Sequence, residues 1–328
     1  MSKARVVVAP NWLGDCVMAI PTLRAIRRAH PQDSLAMLAK AGVGGLLLAS
    51  GSVDRVLERG SLPADVRALA RGKFAEAWLL PNSFRSAVAP FLARIPERIG
   101  YSTDRRGALV NRAVAEPART AHQLRDYDEL LRSRGIAPDT EPPRLAVPRD
   151  AAERARAALQ RAGIAGGRPL VVLCPGAAFG WTKRWPAENF GVLADALEKR
   201  GYGSAVVIGP GEEELARRAA AAARLPLPSL GQDLDPIGLA ALLSLARVAV
   251  ANDSGPSHLA AAVGTPVVAL FGPTDPGRTS PSGAPAEVLD RYVFCSPCFL
   301  TECPYGHECL REITADMALA AVERLARP

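Results

Sequence analysis

Aromatic side chains are scarce in this chain: Phe, Trp and Tyr make up only 5% of its 328 residues. That scarcity, in a background of Ala, Leu, Val and Arg, fits a soluble α/β protein. Long apolar runs are lacking too. A membrane span needs roughly 18 consecutive apolar residues. The longest candidate, Leu239 to Ala251, is broken by Ser244 and Arg247. The opening Met1-Ser2-Lys3-Ala4-Arg5 and the short Val run after it do not make the apolar stretch and small-residue cleavage site of a secretory leader, so a cytosolic protein is expected. The first apolar run is not followed by Gly-x-Gly-x-x-Gly, which argues against a dinucleotide-dependent dehydrogenase. No repeat of solenoid length is present.

What remains is rich in Ala, Leu, Val and Arg, with 48% hydrophobic residues. The length suits two doubly wound domains better than one. Val6 to Ala9 reads as a buried parallel strand, closed by Pro10-Asn11, with Gly14 in a tight loop and a helix carrying Val17, Ile20, Leu23 and Ile26. Ser34–Leu38 and Ala75–Leu80 read as further strands. Ile136 to Pro148 holds four prolines and cannot continue a helix, so it reads as a linker or surface crossing. A helix is expected over Ala151–Ala162. Strands then recur at Leu170–Cys174, Ala205–Ile208, Val248–Ala251 and Val267–Phe271, each running into a loop of Gly, Pro, Asn or Asp. Two such sets predict an α/β protein of two Rossmann-like domains with parallel sheets, 1–166 and 167–328, facing each other across a cleft.

Charge is uneven. Residues 1–150 carry 23 Lys and Arg against 15 Asp and Glu, and the remainder is close to neutral. Arg85, Arg94, Arg98, Arg105, Arg106 and Arg112 are interleaved only with Glu97 and Asp104. Such a stretch suits a nucleic acid, an anionic membrane surface or a phosphorylated substrate, or is a solvated surface.

Three loops carry candidate chemistry. At Asn252-Asp253-Ser254-Gly255-Pro256 a buried strand gives way to a helix. Asp253 or Ser254 is placed as N-cap and Pro256 fits the first turn. A helix start attracts phosphate, Gly255 admits a ligand close to the backbone, and a carboxylate accepts bonds from sugar hydroxyls, so the loop suits a sugar attached to a diphosphate. An ordinary capped helix without a ligand has the same pattern. At Pro175-Gly176-Ala-Ala-Phe-Gly-Trp-Thr-Lys183-Arg-Trp-Pro186 a lysine follows a strand end, where its ammonium can neutralise a leaving diphosphate. At Pro10-Asn-Trp-Leu-Gly-Asp15 a carboxylate follows the first strand, either as a proton acceptor or as a helix-dipole partner. The tail, Cys295-x2-Cys298-x4-Cys303-x3-His307-x-Cys309, is compatible with a structural metal or with reduced thiols.

Taken in order, Asn11-Trp-Leu-Gly-Asp15, Leu80-Pro-Asn-Ser-Phe-Arg-Ser86, Ile95-Pro-x-Arg-x-Gly100, Cys174-Pro-Gly-Ala177, Lys183-Arg-Trp-Pro186 and Asn252-Asp-Ser-Gly-x-x-His258 span nearly the whole chain. In this the chain resembles the bacterial lipopolysaccharide heptosyltransferases of glycosyltransferase family 9, and Leu80-Pro-Asn-Ser-Phe84 points to the type II members. The resemblance implies a GT-B fold and inverting transfer of L-glycero-D-manno-heptose from ADP-heptose to the inner-core heptose of Kdo-lipid A. It implies Asp15 as general base, Lys183 on the donor phosphates, and Asp253 on the heptose, with Gly176, Ser254, Gly255 and His258 shaping the donor pocket. Asn82, Ser83 and Arg98 are assigned to the acceptor. Neither cofactor nor catalytic metal is implied. The basic first half would meet the anionic acceptor and the inner-membrane leaflet of a Gram-negative cell, peripherally and from the cytoplasm. Two other functions compete. One is a related transferase using another nucleotide sugar. The other is a sugar- or nucleic-acid-binding protein without catalysis, disfavoured because only Phe91 and Tyr101 lie among the arginines of 85–112.

Overall fold

A run such as Val6-Val7-Val8, apolar without alternation, is buried on both faces only inside a parallel sheet flanked by helices, and each of these residues is at most 1% exposed. The computed structural model describes residues 2–118, 120–164 and 166–327. They form two units, Met1–Ala146 and Val147–Pro328.

The first unit is built on β1 (Ala4–Val8), β2 (Ser34–Ala39), β3 (Arg55–Glu58), β4 (Glu76–Leu79), β5 (Glu97–Tyr101) and β6 (Arg112–Val114). Their order is β3-β2-β1-β4-β5-β6, with every pair parallel. The second unit has β7 (Leu170–Cys174), β8 (Gly203–Val207), β9 (Ser229–Leu230), β10 (Val248–Asn252), β11 (Val267–Leu270) and β12 (Ala286–Leu289). Its order is β12-β11-β10-β7-β8-β9, again parallel. Both units therefore have the Rossmann order. In each, the winding reverses once, between β1 and β4 and between β7 and β10. Loops leaving the carboxyl ends of those strands diverge and open a crevice, the usual place for ligands in such sheets.

All seven strands expected from sequence are present. β3, β5, β6, β9 and β12 were not expected. Four of them are edge strands and the fifth, β5, lies next to one, and β3 reads Arg-Val-Leu-Glu with both end residues exposed. The prolines of 136–148 form the connection between the helices Asp128–Arg132 and Arg149–Arg161. The second of these helices packs on Pro236–Ser244 and belongs to the second unit. The sequence boundary after residue 166 falls beyond it.

In the second unit the helix Ala187–Lys199 buries Phe190, Leu193, Ala194 and Leu197. Full burial of such a side chain is worth about 1.5–3 kcal/mol. Gly191 lets this helix cross Glu213–Ala222 closely, because a Cβ there would lie 2.1 Å from the Ala219 carbonyl oxygen. Gly191→Ala is expected to lower unfolding free energy by about 1–3 kcal/mol through overpacking, measurable by urea titration. No described helix is long and apolar enough to cross a membrane.

Candidate active site

In the first unit the switch point is an open hollow of about 270 Å³. Pro10, Asn11, Trp12 and Asp15 line it from the end of β1, and Leu80 to Ser83 from the end of β4. Asp15 sits in the helix Leu13–Met18 and is half-buried. Its Oδ1 accepts a hydrogen bond from Gln123 Nε2 at 3.0 Å. Two other ionisable groups of this region stay protonated. Burial, and then the charge of Asp15, pushes the Cys16 thiol up to about 12 and raises the Tyr127 phenol. Asn82 Nδ2 donates to Glu116 Oε1 at 2.6 Å on the same wall.

Behind the shared residues Asn11, Pro81 and Ser83 lies a second hollow, of about 300 Å³. It is lined by Lys40, Arg59 and Arg85. Lys40 and Arg59 are the first residues beyond β2 and β3, so the same strand-end rule places them. Arg59 is fixed by Asn11 Oδ1 at 2.8 Å and Ala9 O at 3.1 Å. Leu62 also lines the hollow, and it is exposed like Trp12 and Phe84 nearby.

The arginine-rich stretch is not one basic face. Arg106 is fully buried and donates to Tyr101 O, Pro81 O and Ser86 Oγ. It is a strut for the 81–86 loop. Arg112 pairs with Glu97 at 3.0 Å. Arg98 lies near the start of β5, away from the end that carries Tyr101 into the first hollow, and donates to Leu109 O at 2.7 Å. The structure thus brings Asn82 and Ser83 to the crevice and leaves Arg98 elsewhere.

In the second unit the loops after β7, β10 and β11 meet at Asn252 and Asp253. Asn252 is fully buried. Its Oδ1 accepts from Trp185 N at 3.0 Å and its Nδ2 donates to Pro175 O at 2.7 Å, locking the β7 loop to the end of β10. Asp253 is 4% exposed. Its Oδ2 accepts from Lys183 Nζ at 2.5 Å and from Thr274 Oγ1 at 2.7 Å. Lys183 and Asp253, given separate partners in the sequence reading, therefore form an ion pair. The Lys183 ammonium also lies 5.1 Å from the centre of the Phe179 ring.

Ser254 takes the N-cap position of the helix Gly255–Ala262, with Pro256 in the first turn, but its hydroxyl does not cap the helix. It donates instead to Asn252 O at 3.1 Å. The expected side-chain cap is not formed by Ser254, and Asp253 Oδ2 is engaged by Lys183 and Thr274. His258 is buried in the same helix. Gly176 is needed for close approach: a Cβ there would fall 2.2 Å from the Glu212 carboxylate, which accepts from Gly209 N at 2.9 Å.

Sequence reasoning missed Thr274, Glu212, Gln123, Lys40 and Arg59. Lys40, Arg59 and Thr274 follow strand ends closely, a signal that was available once all six strands of each sheet were known. Gln123 had none, because its partner Asp15 lies 108 positions away. Cys295, Cys298, Cys303 and Cys309 are free thiols. Burial above all pushes Cys309 up to about 11. Among the described residues, no group of three or more His, Cys, Asp or Glu is placed to hold a metal ion.

Comparison with known proteins matches this geometry to one family. The model of glycosyltransferase family 9 (heptosyltransferase) matches residues 64–308. Lipopolysaccharide heptosyltransferase 2 of Salmonella typhimurium is 31% identical over 302 residues, covering 86% of each chain. Lipooligosaccharide heptosyltransferase 2 of Haemophilus influenzae is 28% identical and covers 97% of this chain and 98% of its own. The structure of E. coli ADP-heptose lipopolysaccharide heptosyltransferase II superposes with a TM-score of 0.85 at 26% identity, over 99% of this chain and 98% of the other. The fold class is thus α/β of the GT-B type, and the chain belongs to glycosyltransferase family 9, the heptosyltransferases.

Proposed function

We propose that this chain transfers L-glycero-D-manno-heptose from ADP-heptose to the inner-core heptose of Kdo-lipid A, with inversion, in lipopolysaccharide core biosynthesis. The observation that carries the proposal is the content of the two switch points: a carboxylate, Asp15, in the first unit, and a lysine held by a buried aspartate in the second. The second unit holds the donor. Lys183 and the N-terminus of Gly255–Ala262 supply positive charge to the diphosphate. Asp253 orients Lys183 and meets the heptose, while Gly176, Ser254, Gly255 and His258 shape the pocket. The first unit holds the acceptor. Its hydroxyl oxygen bonds to the anomeric carbon as the bond from that carbon to the phosphate oxygen breaks, and the electron pair leaves with ADP. Asp15 takes the hydroxyl proton. Attack opposite the leaving group inverts the centre.

Asn82 and Ser83 face the acceptor sugar, and Lys40, Arg59 and Arg85 take its anionic substituents. Arg98 drops out of the acceptor site. The acceptor is lipid-anchored, so the enzyme works peripherally at the cytoplasmic face of an anionic inner membrane. Exposed Trp12, Leu62 and Phe84 beside the basic hollow suit that contact.

A thermal-shift panel tests the donor. At saturating concentration ADP-heptose is expected to raise the melting temperature by several degrees, since ligand at about 100 times its Kd adds about 2.7 kcal/mol. A larger shift with a UDP or GDP sugar supports a different transferase of the family. The acceptor side is tested by Lys40→Ala combined with Arg85→Ala. The expected outcome is a rise of about tenfold or more in acceptor KM with kcat unchanged, the signature of lost uniform binding.

A further inference from the structure

The segment 291–313 grips both loops that build the Lys183–Asp253–Thr274 cluster. On one side Ser296 Oγ donates to Gly272 O at 2.5 Å, and Cys298 N and Phe299 N both donate to Pro273 O, at 3.0 and 2.7 Å. These bonds fix the peptide groups just before Thr274. On the other side lies the short 3-10 turn Trp181–Lys183. Thr182, 2% exposed, donates through Oγ1 to Leu300 O at 2.7 Å. His307, 5% exposed, places Nε2 at 2.7 Å from Thr182 O, and its ring meets Trp181 edge-on at 5.0 Å. A carbonyl only accepts, so Nε2 carries the proton in this bond. His307 itself stands at φ +63°, in the left-handed region that few residues other than glycine enter and that histidine tolerates better than most. From that position the imidazole reaches the carbonyl of the residue next to Lys183.

We propose that His307 is a positioning residue for Lys183: its bond to Thr182 O sets where the ammonium stands relative to Asp253 and the donor diphosphate. The inference rests on the reading that Lys183 holds that diphosphate. The histidine touches no substrate and acts through the loop alone. His307→Leu leaves a buried carbonyl unpaired and frees the turn. His307→Gln keeps a donor at nearly the same reach.

The test is calorimetric titration of the full chain with ADP. His307→Leu is expected to weaken ADP by about tenfold, and His307→Gln to stay within about threefold of the parent, since only the former removes the donor. In a Lys183→Ala background His307→Leu is expected to cost nothing further, because coupled residues are non-additive. If His307→Leu does not fold, His307→Asn, whose amide is too short to reach Thr182 O, is expected to show the same loss and the same non-additivity. Unchanged ADP affinity in the first variant, or additive losses in the double variant, overturns the proposal. A parent that does not bind ADP, or Lys183→Ala binding as the parent does, overturns the donor reading and this proposal with it. Lys183→Ala weakened with His307→Leu unaffected overturns the positioning role alone.

Discussion

Asp15→Asn is expected to lower kcat by about 10²–10⁴-fold, the usual worth of a general base, with ADP affinity unchanged. The substitution keeps volume, and the amide oxygen can still accept from Gln123, so the helix Leu13–Met18 has no reason to move. What is lost is the ability to take a proton. Tyr127 and Cys16 cannot substitute, because burial keeps both in their protonated forms. The other carboxylates lining the hollow are Glu116, whose Oε1 accepts from Asn82 Nδ2, and Asp126. Steady-state kinetics with calorimetry on the same protein separates the two effects. Full turnover in Asp15→Asn moves the base to one of those carboxylates. A parallel loss of ADP affinity means that Asp15 holds donor.

Lys183→Met is expected to weaken ADP binding by about a hundredfold, the loss of one charge-assisted contact to the diphosphate, and also to destabilise the second unit. Asp253 is almost fully buried, and its ammonium partner is only 14% exposed. Removing one member of such a pair leaves a mostly buried charge without its counter-ion. The cost is about 2–4 kcal/mol, below the top of the range for buried pairs because Thr274 still donates to the same oxygen. Lys183→Met with Asp253→Asn removes that charge. The double variant is expected to recover most of the lost stability in urea while ADP binding stays weakened. If stability does not recover, the pair is not what holds the β7 and β10 loops together. If ADP binds the double variant as it binds the parent, the lysine is structural only.

The residues that were legible in sequence share a physical cause. A buried strand of a parallel sheet has no polar alternation, so Val6-Val7-Val8, Leu170 to Cys174 and Val248 to Ala251 announce themselves. Their loops are then found by reading on to the next Gly, Pro, Asn or Asp. Asp15, Lys183 and Asp253 were all located in that way, and all lie at switch points. The edge strands were not legible, because Arg55 to Glu58 or Arg112 to Val114 are partly exposed and carry charge like any surface segment. The basic hollow shared their fate, since Arg59 matters only once β3 is known to end at Glu58. Arg106 misled by composition: among neighbouring surface arginines nothing marks the one whose guanidinium is spent on Tyr101, Pro81 and Ser86. The pairing of Lys183 with Asp253 spans 70 positions and is a product of the fold rather than of any local pattern.

ADP release by the purified protein, followed with ADP-heptose in the presence and absence of a heptose-bearing Kdo-lipid A acceptor, tests the central claim most directly. The account predicts ADP release only when both substrates are present, with a heptosylated lipid formed in equal amount and inverted at the anomeric centre. ADP released at the same rate without acceptor, or transfer from a UDP or GDP sugar in preference to ADP-heptose, contradicts it.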